Sequence, residues 1–123
     1  MSKQIITDAE YDVMKVLWNT PEPLALGDIL KELNDNRSRN TVGTMLSRLC
    51  EKGVVSCHTS GKSYMYYAVL QKSDYVINET KSFLSKLYSG SVSVLVKMLY
   101  ERREISDDET VKLKNIINRI DEN

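Results

Sequence analysis

Histidine and cysteine, the usual ligands of structural zinc, are scarce in this chain, whose 123 residues include one histidine and two cysteines. Structural zinc takes four ligands at recognisable spacing, and the sequence does not supply them. Cys57 and His58 are neighbours in a predicted strand and point to opposite faces, so they do not easily share a ligand site. We therefore expect neither a metal site nor a cofactor. A thiol switch at Cys50 or Cys57 stays open as a minor alternative.

The features of most enzymes are also missing. The sequence contains no glycine-rich phosphate loop and no pair of carboxylates in a recognisable catalytic arrangement. The acidic run from Asp107 to Glu109 follows Ser106, which is the pattern of a capping box at a helix N-terminus. We expect a protein that is not an enzyme.

Long apolar segments and secretion signals are absent too. The longest apolar run, Val92 to Leu99, is interrupted by Ser93 and Lys97 and is far too short to span a bilayer. No basic segment followed by an apolar stretch begins the chain. Two cysteines in such a chain fit a reducing compartment, so the sequence predicts a soluble cytoplasmic protein without a membrane partner.

Net charge is the last notable absence, because 17 Lys and Arg residues balance 17 Asp and Glu residues. This balance counts mildly against nucleic-acid binding, since many such domains are basic overall. The local balance differs, because the stretch from Arg37 to Lys62 carries five positive charges and one negative charge. A surface that binds phosphates needs such a local excess.

The most informative segment of the chain is an amphipathic helix predicted between Ser38 and Gly53. Its apolar stripe repeats at i, i+3, i+4 and i+7, and consists of Val42, Met45, Leu46 and Leu49. The opposite face carries short polar side chains, namely Asn40, Thr44, Ser47 and Glu51. Ordinary exposed helix faces prefer Lys and Glu, whereas this narrow face suits a DNA groove. The pattern predicts a recognition helix that Ser38 caps and Gly53 closes.

Two shorter helices are predicted before the recognition helix. A capping box of Thr7 and Glu10 begins the first, which runs to about Trp18. We expect its core face to consist of Val13, Val16 and Leu17, with a second apolar stripe of Tyr11, Met14 and Trp18. Two prolines end this helix, and the second is predicted from Ala25 to Asn34. The three helices together predict a helix-turn-helix.

The pattern after Gly53 changes from helix to strand. Residues 54–58 and 64–69 are rich in β-branched and aromatic residues, and they flank a predicted five-residue loop, 59–63. A hairpin directly after a recognition helix is the wing of a winged helix. The predicted fold class is therefore mainly α with a small β-hairpin wing: an N-terminal winged helix-turn-helix followed by a C-terminal three-helix dimerisation region.

The three C-terminal helices are too short to bury their apolar stripes alone. Two copies sharing one core, as in obligate homodimers, would bury them. We expect a winged-helix DNA-binding domain at 1–71 and a helical dimerisation domain at 72–123. The residues assigned to dimer contacts are Phe83, Leu84, Leu87, Leu95, Leu99, Leu113, Ile116, Ile117 and Ile120.

Five segments in order resemble the BlaI/MecI/CopY family of bacterial repressors along nearly the whole chain. Each segment is weak alone, but the ordered set is specific. They are AEYDVMKVLW (Ala9 to Trp18), TVGTMLSRLCEKG (Thr41 to Gly53), GKSYMYY (Gly61 to Tyr67), FLSKLYSG (Phe83 to Gly90) and the region from Leu95 to Leu113. The resemblance implies a homodimer that binds a palindromic double-stranded DNA operator and blocks transcription.

The resemblance also bears on induction, the event that releases the repressor from its operator. In the β-lactam-resistance branch, a membrane sensor-protease triggers cleavage of an Asn–Phe bond in the dimerisation region. The matching positions here are Met98 and Leu99, so cleavage by the usual protease does not simply carry over. The copper-responsive branch ends in paired Cys-x-Cys motifs. This chain ends without a cysteine, which excludes copper sensing by that route.

Eight residues are predicted to touch DNA. Asn40, Thr41, Gly43 and Thr44 lie on the first turns of the recognition helix, where helix-turn-helix proteins contact base edges. An Asn can pair with adenine, and a Thr methyl group can contact a thymine methyl group. The alternative role of Thr41 is support of the helix cap. The remaining four are expected mainly at phosphates, namely Ser38 through its backbone N–H, Arg39 at bases or phosphates, Arg48 and Lys62.

The sequence therefore predicts a homodimeric DNA-binding repressor. For Arg48 the alternative is an ion pair within the domain. Two alternative functions stay open for the whole chain. One is a winged-helix module that binds a protein and no DNA, which the neutral net charge supports. The other is a ligand- or redox-responsive regulator that leaves DNA without being cleaved.

Overall fold

The computed structural model describes residues 5–122, which form a mainly helical chain with one hairpin. In chain order, the elements of this range are α1 (Asp8–Trp18), α2 (Leu26–Leu33), α3 (Arg39–Glu51), β1 (Val55–Ser60), β2 (Ser63–Ala68), α4 (Lys72–Tyr88), α5 (Val92–Glu101) and α6 (Asp107–Glu122). The predicted architecture, mainly α with one small β-hairpin, is confirmed. The chain divides into two compact units between Val76 and Ile77, a boundary within the first turns of α4.

Helix ends in the first unit follow the predicted capping. Thr7 accepts a hydrogen bond from the Glu10 backbone at 3.1 Å, and the Glu10 side chain accepts one from the Thr7 backbone at 2.9 Å. Ser38 caps α3 by accepting from the Thr41 backbone at 3.1 Å. After the last turn of α3, Gly53 adopts φ 79°, a conformation that glycine reaches without strain.

The core of the first unit lies between α1, α2, α3 and the start of β1. All four predicted apolar residues of α3 are buried in it. In α1 the expected core face was wrong in one position, because Met14 is fully buried and Val16 is only half-buried. The reason is that α1 contacts α2, α3 and β2, so more than one stripe of its surface is covered.

The wing is tighter than predicted. Strands β1 and β2 pair antiparallel from Val55 opposite Ala68 to Ser60 opposite Ser63, so the loop has two residues instead of five. Gly61 at the first turn position has φ 64°, which a two-residue hairpin of type II′ requires. The wing is held to the rest of the unit by Leu24, whose backbone exchanges two hydrogen bonds with Tyr66 at 2.8 and 2.9 Å.

The second unit contains the rest of α4 together with α5 and α6. Ser91 caps α5 by accepting from the Val94 backbone, and Ser106 accepts from the Glu109 backbone, each at 3.1 Å. The latter bond is one half of the predicted second capping box. Among the helices described, none combines the length and the apolarity that crossing a membrane demands.

Candidate nucleic-acid interface

The face of α3 opposite the core is exposed and carries no lysine or arginine at its centre. Its four residues, Asn40, Thr44, Ser47 and Glu51, are all exposed. The core stripe fixes this orientation, because burial of Val42 and Leu46 forces the residues half a turn away outward. The helix therefore presents short side chains along a narrow ridge, which fits the width of a DNA major groove.

Hydrogen bonds divide the roles of the polar residues in the first two turns of α3. The Thr41 hydroxyl lies 2.9 Å from the Ser38 hydroxyl and so supports the cap. The Thr44 hydroxyl donates to the Asn40 carbonyl oxygen at 2.9 Å, which leaves its methyl group and acceptor lone pairs for a ligand. Within residues 5–122, nothing bonds to the Asn40 side-chain amide. The donors and the acceptor of the Asn40 amide therefore stay available, and such a set can pair with the edge of an adenine.

Gly43 lies on the flank of α3 that faces α2. A Cβ atom built there would lie 4.0 Å from Leu26 Cδ2, which is ordinary van der Waals contact. Packing within the protein therefore does not demand glycine at this position. Because Gly43 has no side chain, the surface of α3 beside Asn40 and Thr44 projects less far from the helix axis.

Two of the five positive charges between Arg37 and Lys62 are engaged inside the protein. The Arg37 guanidinium donates to Asp12 at 2.8 Å and lies 3.5 Å from Asp35. The hydrogen bond with Asp12 raises the pKa of Arg37, and the same bond is the main cause of the lowered pKa of Asp12. Lys52 bonds to the buried Glu10 and to the Ile5 carbonyl oxygen. The sequence suggested four net positive charges facing DNA, and that estimate was too high.

The other three cations are free to contact phosphates. Arg39, Arg48 and Lys62 are exposed, and none of them forms an ion pair with any residue of the described range. The alternative for Arg48, a salt bridge inside the domain, is therefore not found among these residues. Arg39 begins α3, Arg48 lies on its flank, and Lys62 forms the tip of the wing.

A polar notch between α2, α3 and the wing is a part of this surface that the sequence did not reveal. It holds about 190 Å³ and is lined by Ala25, Leu26, Arg39, Lys62, Ser63, Tyr64 and Tyr66. Ala25 occupies the N-cap position of α2 and offers no side-chain hydrogen bond to the helix amides. Free amides at a helix N-terminus favour anions, and the two cations add to this preference. The sequence signal that could have revealed this notch is Ala25, which occupies the N-cap position where Ser, Thr, Asp or Asn is usual.

Comparison with known proteins identifies the family. Residues 6–119 match the family model described as penicillinase repressor. The chain belongs to the penicillinase repressor family. This family consists of repressors, so the predicted resemblance and the expectation that the chain is not an enzyme are both confirmed.

Two relatives of this family member align with it over most of their length. The methicillin resistance regulatory protein MecI of Mammaliicoccus sciuri is 32% identical, over 93% of this chain and 94% of its own. The penicillinase repressor of Bacillus licheniformis is 33% identical, over 91% of this chain and 88% of its own.

Two solved structures resemble the winged helix of this family member. The solution structure of the DNA binding domain of the repressor BlaI has a TM-score of 0.52 at 37% identity, and covers 60% of this chain and 94% of that one. The monomeric form of Bacillus licheniformis BlaI, in complex with the blaP half-operator, has a TM-score of 0.51 at 36% identity. It covers 60% of this chain and 92% of that one.

The second unit of this family member exposes many apolar side chains. Of the nine residues assigned to dimer contacts, Leu84 is buried and Leu95, Leu99 and Leu113 are half-buried within the chain itself. The exposed ones are Phe83, Leu87, Ile116, Ile117 and Ile120. Further exposed apolar residues, which the sequence did not single out, are Val92, Val94, Tyr100 and Val111.

The remaining sequence candidates concern metal binding and cleavage. Within the described residues, no group of three or more His, Cys, Asp or Glu side chains is placed to hold a metal ion. Cys57 and His58 are both exposed on β1, on opposite faces of the hairpin. Met98 and Leu99 lie inside α5 and are half-buried.

Proposed function

We propose that the protein is a homodimeric transcriptional repressor that binds a palindromic operator through α3 and the wing. The observation that carries the proposal is the exposed polar ridge of α3, whose first turns present Asn40 and Thr44 without a charged residue between them. No described residue bonds to the Asn40 side-chain amide. The identity of 36% with a BlaI structure described in complex with a half-operator supports DNA as the ligand.

On this proposal, α3 lies in the major groove with its N-terminal turns against the bases. Asn40 pairs with an adenine and the Thr44 methyl group contacts a thymine, and each such contact is worth about 1–3 kcal/mol of discrimination. Arg48 contacts a phosphate from the helix flank, and Lys62 does so from the wing tip. Arg39 and the amides at the start of α2 hold a further phosphate in the notch.

Dimerisation gives the exposed apolar side chains of the second unit a partner. Burying a side chain of the size of Ile or Leu contributes about 1.5–3 kcal/mol, and several such residues are exposed in one chain. A two-fold dimer reads a palindrome with half-sites about one helical turn apart or a multiple of it. We assign DNA binding to residues 1–71 and dimerisation to residues 72–123.

Induction has two competing forms. In the first, a sensor-protease pathway cleaves the dimerisation region, and the bond matching the family's cleavage position joins Met98 to Leu99. That bond lies inside α5, so the turn around it must unfold before a protease can bind it. In the second form, DNA is released from an intact chain. Mass spectrometry of the chain during induction distinguishes a cleaved from an intact repressor.

The decisive experiment is operator competition with the double variant Asn40→Ala, Thr44→Ala. We expect it to lose the preference for the upstream region of its own operon over unrelated DNA, because both base contacts are removed. The protein should still dimerise, since neither residue lies in the second unit. The matched control is Asn19→Ala, which truncates an exposed asparagine outside α3 and the wing.

Two outcomes contradict the proposal. If the double variant keeps its operator preference in a gel-shift competition, the bases are read elsewhere. If the wild-type protein shows no salt-dependent affinity for this DNA, the alternative of a protein-binding winged helix is favoured. Salt is the discriminating variable because neutralised phosphates release counterions.

A further inference from the structure

The two cysteines of the chain lie at the junction of the recognition helix and the wing. Cys50 is in the last turn of α3, half-buried against the core. The Val54 amide donates to the Leu49 carbonyl oxygen at 3.2 Å, which folds the chain back against that turn just before β1 begins. Cys57 follows the buried Val55 by two residues in β1, so both side chains point to the same face of the hairpin.

Tyr66 marks the place where the two thiols approach each other. It is the cross-strand partner of Cys57, and its ring packs on the same core as Cys50. Burial raises the pKa of the Tyr66 hydroxyl, and both Cys57 and Cys50 raise it further. The Cys50 and Cys57 side chains also share a hydrogen bond with each other. Because Cys57 lies opposite Tyr66 in the hairpin, and Cys50 and Tyr66 pack on the same core, the three side chains form one cluster between α3 and the hairpin.

The two thiols differ in their exposure to solvent. Burial raises the pKa of the Cys50 thiol, and the neighbouring Cys57 thiol raises it further. Cys57 is exposed and is the sulfur that a small oxidant reaches first. Neither is used in the proposed contacts with DNA.

We propose that Cys50 and Cys57 form an oxidant-responsive dithiol site, at which hydrogen peroxide links the last turn of α3 to β1 through an intramolecular disulfide. The Cys57 thiolate attacks one peroxide oxygen, the O–O bond breaks, and the other oxygen leaves as water after taking a proton. Cys57 then carries a sulfenic acid. The Cys50 sulfur attacks the Cys57 sulfur, the S–O bond breaks, and the hydroxide leaves as water with the Cys50 proton. Two thiols are oxidised and one peroxide is reduced to two waters.

The disulfide acts on DNA binding through the wing, a consequence that rests on the proposed function. A disulfide holds the two Cβ atoms about 3.8 Å apart, closer than two thiols in contact. Closing it draws β1 towards α3 and shifts Lys62 relative to the ridge of α3. We expect operator affinity to fall roughly three- to tenfold, the loss that one misplaced phosphate contact produces.

The test treats the reduced full-length protein with hydrogen peroxide, blocks remaining thiols with N-ethylmaleimide and weighs the intact chain. The wild type should lose two hydrogen atoms, take up no maleimide, and return to two free thiols with dithiothreitol. The variant Cys50→Ser should accumulate a sulfenic acid that dimedone traps, and Cys57→Ser should keep an alkylatable Cys50. Circular dichroism shows whether each variant is folded.

The site is refuted if both thiols of the treated wild type remain alkylatable, or if the disulfide joins two chains on a non-reducing gel. The regulatory role is refuted if the oxidised wild type forms the internal disulfide and binds the upstream DNA with unchanged affinity. Failure of the reduced wild type to bind that DNA contradicts the proposed function instead. The mass measurement still tests the dithiol site in that case.

Discussion

At the scale of single residues, the proposed base contacts depend on which polar atoms the protein leaves unbonded. The Asn40 amide has no partner among the described residues, whereas the Thr44 hydroxyl proton is already donated to the Asn40 carbonyl oxygen. Thr44 is therefore expected to act on DNA through its methyl group, and Asn40 through its full set of donors and acceptor. On the proposed function, Asn40 and Thr44 contribute to specificity through different interactions, hydrogen bonding for Asn40 and methyl contact for Thr44.

Paired substitutions at Thr44 separate these contributions. Thr44→Val keeps a methyl group in a similar shape and removes the hydroxyl, so operator preference should change less than about threefold. Thr44→Ser keeps the hydroxyl and removes the methyl group, so preference should fall about fivefold or more. Fluorescence anisotropy with operator and scrambled DNA measures both. The opposite order would assign Thr44 to hydrogen bonding.

Lys62 is expected to contribute affinity without specificity. Replacing it by alanine removes one phosphate contact per half-site, so the slope of log affinity against log salt should become shallower by about 1 for each half-site. Preference between operator and scrambled DNA should stay unchanged. Lys114→Ala, an exposed lysine on α6, is the matched control and should leave the slope as it is. A loss of preference in Lys62→Ala would place the wing tip at bases.

At the scale of elements, the C-terminal end of α3 is tied to the N-terminal end of α1. Lys52, directly after α3, bonds to Glu10, which is only 1% exposed. Burial raises the pKa of Glu10, but hydrogen bonds from Lys52 and from the Thr7 backbone outweigh it, so the pKa lies below its ordinary value. The second carboxylate oxygen of Glu10 is buried and has no hydrogen-bond partner among residues 5–122, so the carboxylate depends heavily on Lys52.

Breaking this ion pair should destabilise the winged helix. Lys52→Met leaves the Glu10 carboxylate buried and unpaired, which should lower the free energy of unfolding by roughly 3 kcal/mol. The double variant Glu10→Gln, Lys52→Met should recover part of that loss. Urea unfolding followed by circular dichroism measures both, with Lys31→Met as the exposed control. Equal stability of wild type and Lys52→Met would show that the pair contributes nothing.

The same pair gives stability a defined dependence on pH. Because the pKa of Glu10 is lower in the folded chain than in the unfolded chain, its contribution is fully present above the ordinary value near 4.5. It is lost as pH falls through the lower, folded value. Glu10→Gln should therefore flatten the acid limb of the stability curve. An unchanged acid limb would assign the acid sensitivity to other carboxylates.

The sequence predicted those features of the elements that depend on local pattern. The stripe of α3, its Ser38 cap and the Thr7–Glu10 capping box follow from spacing within one or two turns, and all of them are present. The prediction of a five-residue loop was wrong. Ser60 and Ser63 lack strong strand preference and are extended through their pairing across the hairpin, and Thr59, whose type favours strands, pairs with Tyr64.

Tertiary partners were beyond prediction from the sequence. Lys52 meets a carboxylate 42 residues away and Arg37 meets one 25 residues away. No local pattern reveals such pairs, so the count of cations available to DNA was too high. The notch was missed for the same reason, since it joins α2, α3 and β2.

At the scale of the whole molecule, the proposal of two copies rests on the second unit. Ile117 is 57% exposed on α6, in a unit where other large apolar side chains are exposed as well. Such exposure is typical of a surface that a partner covers. Within the described part of the chain, Arg39, Arg48 and Lys62 are the cations between residues 37 and 62 that form no ion pair. The proposed dimer would bring two such sets to one operator.

An interface variant tests this arrangement. Ile117→Asp should raise the dissociation constant of the dimer at least about a hundredfold, because the symmetric interface loses two buried isoleucines, one from each chain. Operator affinity should fall with it, while binding to a single half-site is retained. Analytical ultracentrifugation measures the first effect and anisotropy the second. Asn118→Asp adds the same charge on the same helix and should leave the dimer intact; if Ile117→Asp also leaves it intact, α6 lies outside the interface.

The central claim, that two copies of α3 read bases in the major groove of one duplex, is tested most directly by methylation-interference footprinting of the bound upstream DNA. We predict two patches of interference at guanine N7 in the major groove, centred about one helical turn apart or a multiple of it, with ethylated phosphates interfering beside them. Interference confined to the minor groove, or a single patch bound by the intact dimer, would contradict the account.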